Sequence, residues 1–158
     1  MGSLRQVITS LVFVAVVLIA YRVVFRRVDP HFEAMAVGSL RTVNAAMKEY
    51  YLQTGRSACS LNDLGNSFIN RHGFRQDALI DQVLASGAKA SYRFKIKDCK
   101  TDRLHYLVTA EPIPEMFIVR FVKNESAGTR SFCTDESGEI HESNGSAADC
   151  LIHGRPLP

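Results

Sequence analysis

The chain has no CxxC pair, no HExxH spacing, no glycine-rich phosphate loop and no GxSxG elbow. Those absences remove the familiar sequence signatures of zinc chemistry, nucleotide binding and serine esterase activity. The five histidines, His31, His72, His105, His141 and His153, are scattered singly, and no cysteine has a histidine placed in sequence to activate it. Tryptophan is missing, so nine Phe and five Tyr must supply the aromatic part of any core. Acidic residues are missing before Asp29, whereas Arg5, Arg22, Arg26 and Arg27 all fall there. Taking those four from the 19 basic residues leaves 15 to set against 16 acidic ones after Val28. The formal charge of +3 therefore belongs to the first segment. The remainder is near neutral and lacks the basic footprint that a nucleic-acid partner requires. No catalytic residue, metal site or cofactor site is indicated.

What is present first is a charge-free apolar run over residues 7–21. Extended through Val23, Val24 and Phe25, it measures roughly 28 Å as a helix, close to the thickness of a hydrocarbon core. Arg22 lies near one end, where a long side chain can snorkel to the headgroups. A cleaved signal peptide fits less well, because only Arg5 precedes the run and Leu18-Ile19-Ala20-Tyr21-Arg22 offers no small-x-small site. The pattern predicts a short tail at 1–6, a transmembrane anchor at 7–25 and a globular domain at 29–158. The lipid bilayer is then a partner, with the flanking arginines meeting anionic headgroups. Orientation is contested. Arg22, Arg26 and Arg27 favour a cytoplasmic domain by the positive-inside rule. Cys59, Cys99, Cys133 and Cys150, even in number and widely spaced, favour disulfides in an oxidising compartment. Four buried free thiols are the alternative.

Asp29-Pro30 reads as the N-cap and first-turn pair of a helix. Phe32, Met35/Ala36, Leu40, Val43, Met47 and Tyr50 then recur at spacings of three and four, one apolar stripe ending before Gly55. Glu33, Arg41, Lys48 and Glu49 fall off it. Residues 55–73 read as loop, with a short turn of helix at Ser60-Leu61-Asn62-Asp63-Leu64, and residues 77–84 read as a second helix stopped by Gly87. The period then changes. Tyr92, Phe94 and Ile96 alternate with Arg93, Lys95 and Lys97, a half-buried strand whose basic face is either solvated or a docking stripe. Further strands are expected at 105–110, 116–122, 130–134 and 139–141, the last two joined by the turn Asp135-Glu136-Ser137-Gly138. The acids Asp135, Glu136, Glu139, Glu142 and Asp149 do not follow the EF-hand order. Asn124-Glu125-Ser126 and Asn144-Gly145-Ser146 are formal glycosylation sequons, a motif common by chance. Helices first and strands after predict an α+β fold: a transmembrane helix continuing into an amphipathic helix packed on a small antiparallel sheet.

Several segments resemble a known family. Gly38-Ser39-Leu40-Arg41-Thr42-Val43-Asn44, Ser60-Leu61-Asn62-Asp63-Leu64-Gly65, the segment from Ala78 to Gly87, Tyr106-Leu107-Val108-Thr109-Ala110 and above all the segment from Thr129 to Ile140 are similar to type IV pilin-like proteins and type II secretion pseudopilins of soil bacteria. The resemblance covers roughly residues 34–142. It implies a single-pass bacterial inner-membrane protein with a periplasmic or extracytoplasmic head, acting as a structural or assembly subunit beside other pilin-like subunits. The other reading is a non-polymerising envelope protein whose head is a binding module. Its small-molecule ligand, if any, is unidentified.

One departure from the family is plain. Gly2 is followed by Ser3-Leu4-Arg5-Gln6-Val7, without the glutamate that prepilins carry at the fifth position of the apolar run. No leader is recognisable, and the family's calcium loop has no residue-by-residue match. The resemblance also bears on the cysteines. Many type IV pilins staple their C-terminal tail with a disulfide, and the tail here, polar over 143–149, needs such a tether. That implies Cys133–Cys150 among the three possible pairings, leaving Cys59 for Cys99.

Overall fold

The structure, a computed structural model, describes residues 13–17, 30–113, 128, 130–145, 147 and 150–157. Residues 13–17 are helical and exposed and belong to a unit of their own. The remaining described residues form the folded unit considered below.

Helix α1 (Pro30–Thr54) realises the apolar stripe. Ala36, Leu40, Val43 and Met47 are all 0% exposed, while Arg41, Thr42, Lys48 and Glu49 face water. Proline at the first helical position has no orphan N–H to satisfy. The helix stops at Gly55, whose positive φ of 75° lets its N–H donate to the Tyr51 carbonyl at 2.8 Å.

One expectation is corrected here. Among the described residues no helix is long and apolar enough to cross a membrane. The 25-residue α1 carries Glu33, Arg41, Lys48 and Glu49, so its hydrophobicity is one-sided. Of the anchor expected at 7–25, all but residues 13–17 lie outside the described residues. Among the described residues the architecture is thus α+β, with no transmembrane helix leading into α1. The single-pass inner-membrane location that depended on that helix is corrected with it.

After α1 come α2 (Leu61–Gly65), a two-stranded hairpin of β1 (Phe68–Ile69) and β2 (Arg75–Gln76), and α3 (Gln82–Ala85). Ser60 and Asp63 close a capping box on α2, and Asp81 caps α3 by accepting from the Leu84 N–H at 2.9 Å. These two short helices touch closely: a Cβ at Gly65 would stand 2.2 Å from that of Ala85. The hairpin replaces part of the expected loop, and α3 is shorter than the helix expected over 77–84.

The main sheet has six strands: β3 (Ala88–Lys89), β4 (Tyr92–Lys100), β5 (His105–Pro112), β6 (Ser131–Asp135), β7 (Ile140–Ser143) and β8 (Arg155–Pro156), with a short α4 (Cys150–His153) before β8. They pair in chain order, every pair antiparallel. Register places two rows on the inner face: Phe94, Ala110, Phe132 and Glu142 in one, Ile96, Val108, Thr134 and Ile140 in the other. Helix α1 lies against β5 and β6, so its stripe and these rows enclose the core. Arg93, Lys95 and Lys97 project from the opposite face, as their alternation predicts. The strand expected at 116–122 lies outside the described residues. Strands β3 and β8 were not legible, being only two residues long each.

Candidate functional site

The densest polar constellation sits where the first turn of α1 meets the sheet. Glu33 and Glu142 are both buried, with side chains only 6% exposed. Arg130, just ahead of β6, bridges them: its Nε donates to Glu33 Oε2 at 2.9 Å, its second terminal nitrogen contacts the same oxygen, and its first contacts Glu142 Oε2. Arg155 on β8 closes the far side by donating from Nε to Glu142 Oε1 at 3.1 Å. The Tyr92 hydroxyl donates to the Arg130 carbonyl at 3.0 Å, and the guanidinium lies 5.8 Å from the centre of the Phe132 ring. Gly128 roofs the group: a Cβ there would come within 1.9 Å of the Tyr92 hydroxyl and 2.7 Å of Glu33 Cγ. Only glycine fits that approach.

Electrostatics follow from this geometry. Hydrogen bonding to Glu33 leads the causes that raise the Arg130 pKa. The Arg155 hydrogen bond, against the cost of burial and with help from Arg130, holds the Glu142 carboxyl below its usual range. Burial, reinforced by Glu33, pushes the Tyr92 hydroxyl well up. Two carboxylates and two guanidinium groups thus neutralise one another across α1, β6, β7 and β8. The arrangement acts as a clamp on the helix.

A second polar group lies under the helix. The Asn44 amide donates from Nδ2 to Thr134 Oγ1 at 2.7 Å and accepts from the Tyr106 hydroxyl at 3.2 Å, all in the core. Burial, with Glu136 and Asp135 nearby, pushes the Tyr106 hydroxyl up to about 12. At the sheet end His105 Nδ1 meets Glu136 Oε1 at 3.0 Å. Burial opposes ionisation of that carboxyl, but backbone and His105 hydrogen bonds outweigh it and lower its pKa.

The four cysteines form two disulfides, Cys59–Cys99 and Cys133–Cys150, with Cα separations of 5.4 and 6.0 Å. The second pins α4 to the outward face of β6, where Leu107, Ala147 and Leu151 pack around it. The first ties the loop after α1 to the bulged end of β4. The histidines stand on separate elements: α1, the β1–β2 turn, β5, β7 and α4. Among the described residues no group of His, Cys, Asp or Glu is placed to hold a metal ion. Asp149 and the Asn124 sequon lie outside the described residues.

The clamp was missed by sequence reasoning. Glu33 showed only as an acid off the apolar stripe, and Arg130 stands 97 residues away from it. The one available hint was an acid in the first helical turn, which a helix dipole alone explains. No family model, curated protein or solved structure matches the chain.

Proposed function

We propose that this domain is a pilin-like or pseudopilin-like subunit, a structural or assembly component of a type IV pilus or type II secretion-like system, working through surface contacts. The observation that carries the reading is α1 itself: a long helix clamped along one face to an antiparallel meander, its opposite face uncovered by the described residues of its own unit. Ala34, Met35, Arg41, Ala45 and Glu49 are exposed there, a mixture of small and charged residues suited to packing beside another rigid element. The tail stapled by Cys133–Cys150 and the segments quoted above support it further. The test is to isolate assembled filaments or secretion complexes from cells making the full chain. The reading expects the chain to co-purify with them and Arg41→Glu with Ala45→Glu to deplete it. A chain never found with such assemblies overturns it.

A second reading, a binding module for an acidic partner, draws on one observation. Arg93, Lys95 and Lys97 lie roughly 7 Å apart along β4, and none joins an ion pair among the described residues. Salt-sensitive capture of an acidic partner, lost on neutralising the three side chains with the fold intact, would favour it.

A further inference from the structure

We propose that Asn144-Gly145 is a site of spontaneous covalent modification, at which the native chain closes a succinimide ring and ages to isoaspartate. It is the one Asn-Gly pair in the sequence. It follows β7 directly, in a bend, with both residues exposed. No hydrogen bond within the described structure restrains the Asn144 amide, and the Gly145 N–H makes only a long 3.3 Å contact with Ser143 Oγ. Among the described residues nothing lies within 4 Å of where a Gly145 Cβ would stand. The other described asparagines differ. Asn44 is locked in the core by Thr134 and Tyr106, Asn70 accepts from the His72 and Phe74 N–H groups, and Asn62 and Asn66 precede Asp63 and Ser67 rather than glycine.

The chemistry needs only solvent. The Gly145 nitrogen loses its proton and attacks Asn144 Cγ. The new N–Cγ bond forms as the Cγ–Nδ2 bond breaks, and ammonia leaves with the proton. Water then adds to one of the two ring carbonyls and opens the imide, giving isoaspartate or aspartate at 144. The isoaspartate route adds a methylene to the main chain between β7 and Cys150, the tethered end of the tail. Either product adds a carboxylate two residues beyond the clamped Glu142.

The full-length oxidised protein, incubated at neutral and at mildly alkaline pH, provides the test. Peptide mapping and methyl acceptance from an isoaspartyl methyltransferase report the product. We expect isoaspartate at 144 with matching release of ammonia, faster at the higher pH because the attacking nitrogen must be deprotonated. Asn144→Gln abolishes it. Gly145→Ala, which the open space around Gly145 accommodates without disturbing the fold, slows it severalfold. Isoaspartate that forms only in a reduced, unfolded sample aged alongside means that the native bend forbids attack, and overturns the proposal. Ageing of Gly145→Ala at the wild-type rate overturns it equally.

Discussion

Replacing Arg130 by alanine removes the guanidinium that joins two buried carboxylates. Glu33 and Glu142 keep their places with side chains 6% exposed, whereas Arg130 is itself 37% exposed. Breaking a buried pair from one side costs about 3–5 kcal/mol, because the other charge is left desolvated. The partial exposure of Arg130, the remaining hold of Arg155 on Glu142 and the further interaction that Glu33 keeps lower that to about 2–3 kcal/mol. Urea unfolding at neutral pH should show the loss as a lower midpoint with an unchanged slope. Arg130→Lys should fall in between, since it keeps the charge but not the fork that spans both carboxylates. The pH dependence has a definite sign. The Glu142 carboxyl is held below its usual 4.5 in the folded state. The stability it contributes is therefore complete above that value and is lost as pH falls through the depressed pKa. Wild type and Arg130→Ala should converge in acid. A loss below about 1 kcal/mol, the scale of an exposed ion pair, would refute the clamp. So would a gap that stays constant as pH falls.

Leu40→Ala, at a position 0% exposed, should cost about 2–5 kcal/mol, and Lys48→Ala, at an exposed position, should stay within about half a kcal/mol; equal effects in denaturant titrations would mean that the helix face is wrongly placed. Removing the Cys133–Cys150 bridge, which closes a separation of 17 residues, should cost about 3 kcal/mol in the chain-entropy model. Because Cys59 is exposed whereas Cys133 and Cys150 are 0% exposed, thiol mapping under mild dithiol should find Cys59–Cys99 opened first. Thr109 Oγ1 is buried with no hydrogen-bond partner among the described residues, so Thr109→Val should stabilise by about 1 kcal/mol, and a destabilised variant would show that the hydroxyl is satisfied after all. The Tyr106 contribution should be complete below its ordinary pKa of 10 and fade as pH rises through about 12; ultraviolet titration should find a phenol that ionises only as the fold is lost, and reversible titration of all five tyrosines near 10 would contradict it.

The parts of this fold that are periodic were legible in the chain. Leu40, Val43 and Met47 mark a helical face, and the alternation around Phe94 marks a strand with Arg93 and Lys95 outward, because burial on one side imposes a period. Short elements carry no period, so β3, β8 and the β1–β2 hairpin went unread, as did the late start of α3. The apolar run at 7–25 shows the reach of composition. It established a segment compatible with hydrocarbon, and among the described residues no helix long and apolar enough to cross a membrane bears out the transmembrane helix drawn from it. The polar groups are invisible for a different reason. Glu33 with Arg130, and Asn44 with Thr134, are joined only by tertiary folding across separations of 97 and 90 residues. Local patterns cannot pair them.

The subunit reading is tested most directly by photo-crosslinking the full chain in the cell from two positions, Ala45 on the open face of α1 and Lys95 on the outward face of β4. The account predicts crosslinks from Ala45 to another pilin-like subunit or a second copy, with little captured from Lys95. Capture of an unrelated acidic partner from Lys95, with Ala45 silent, would contradict it.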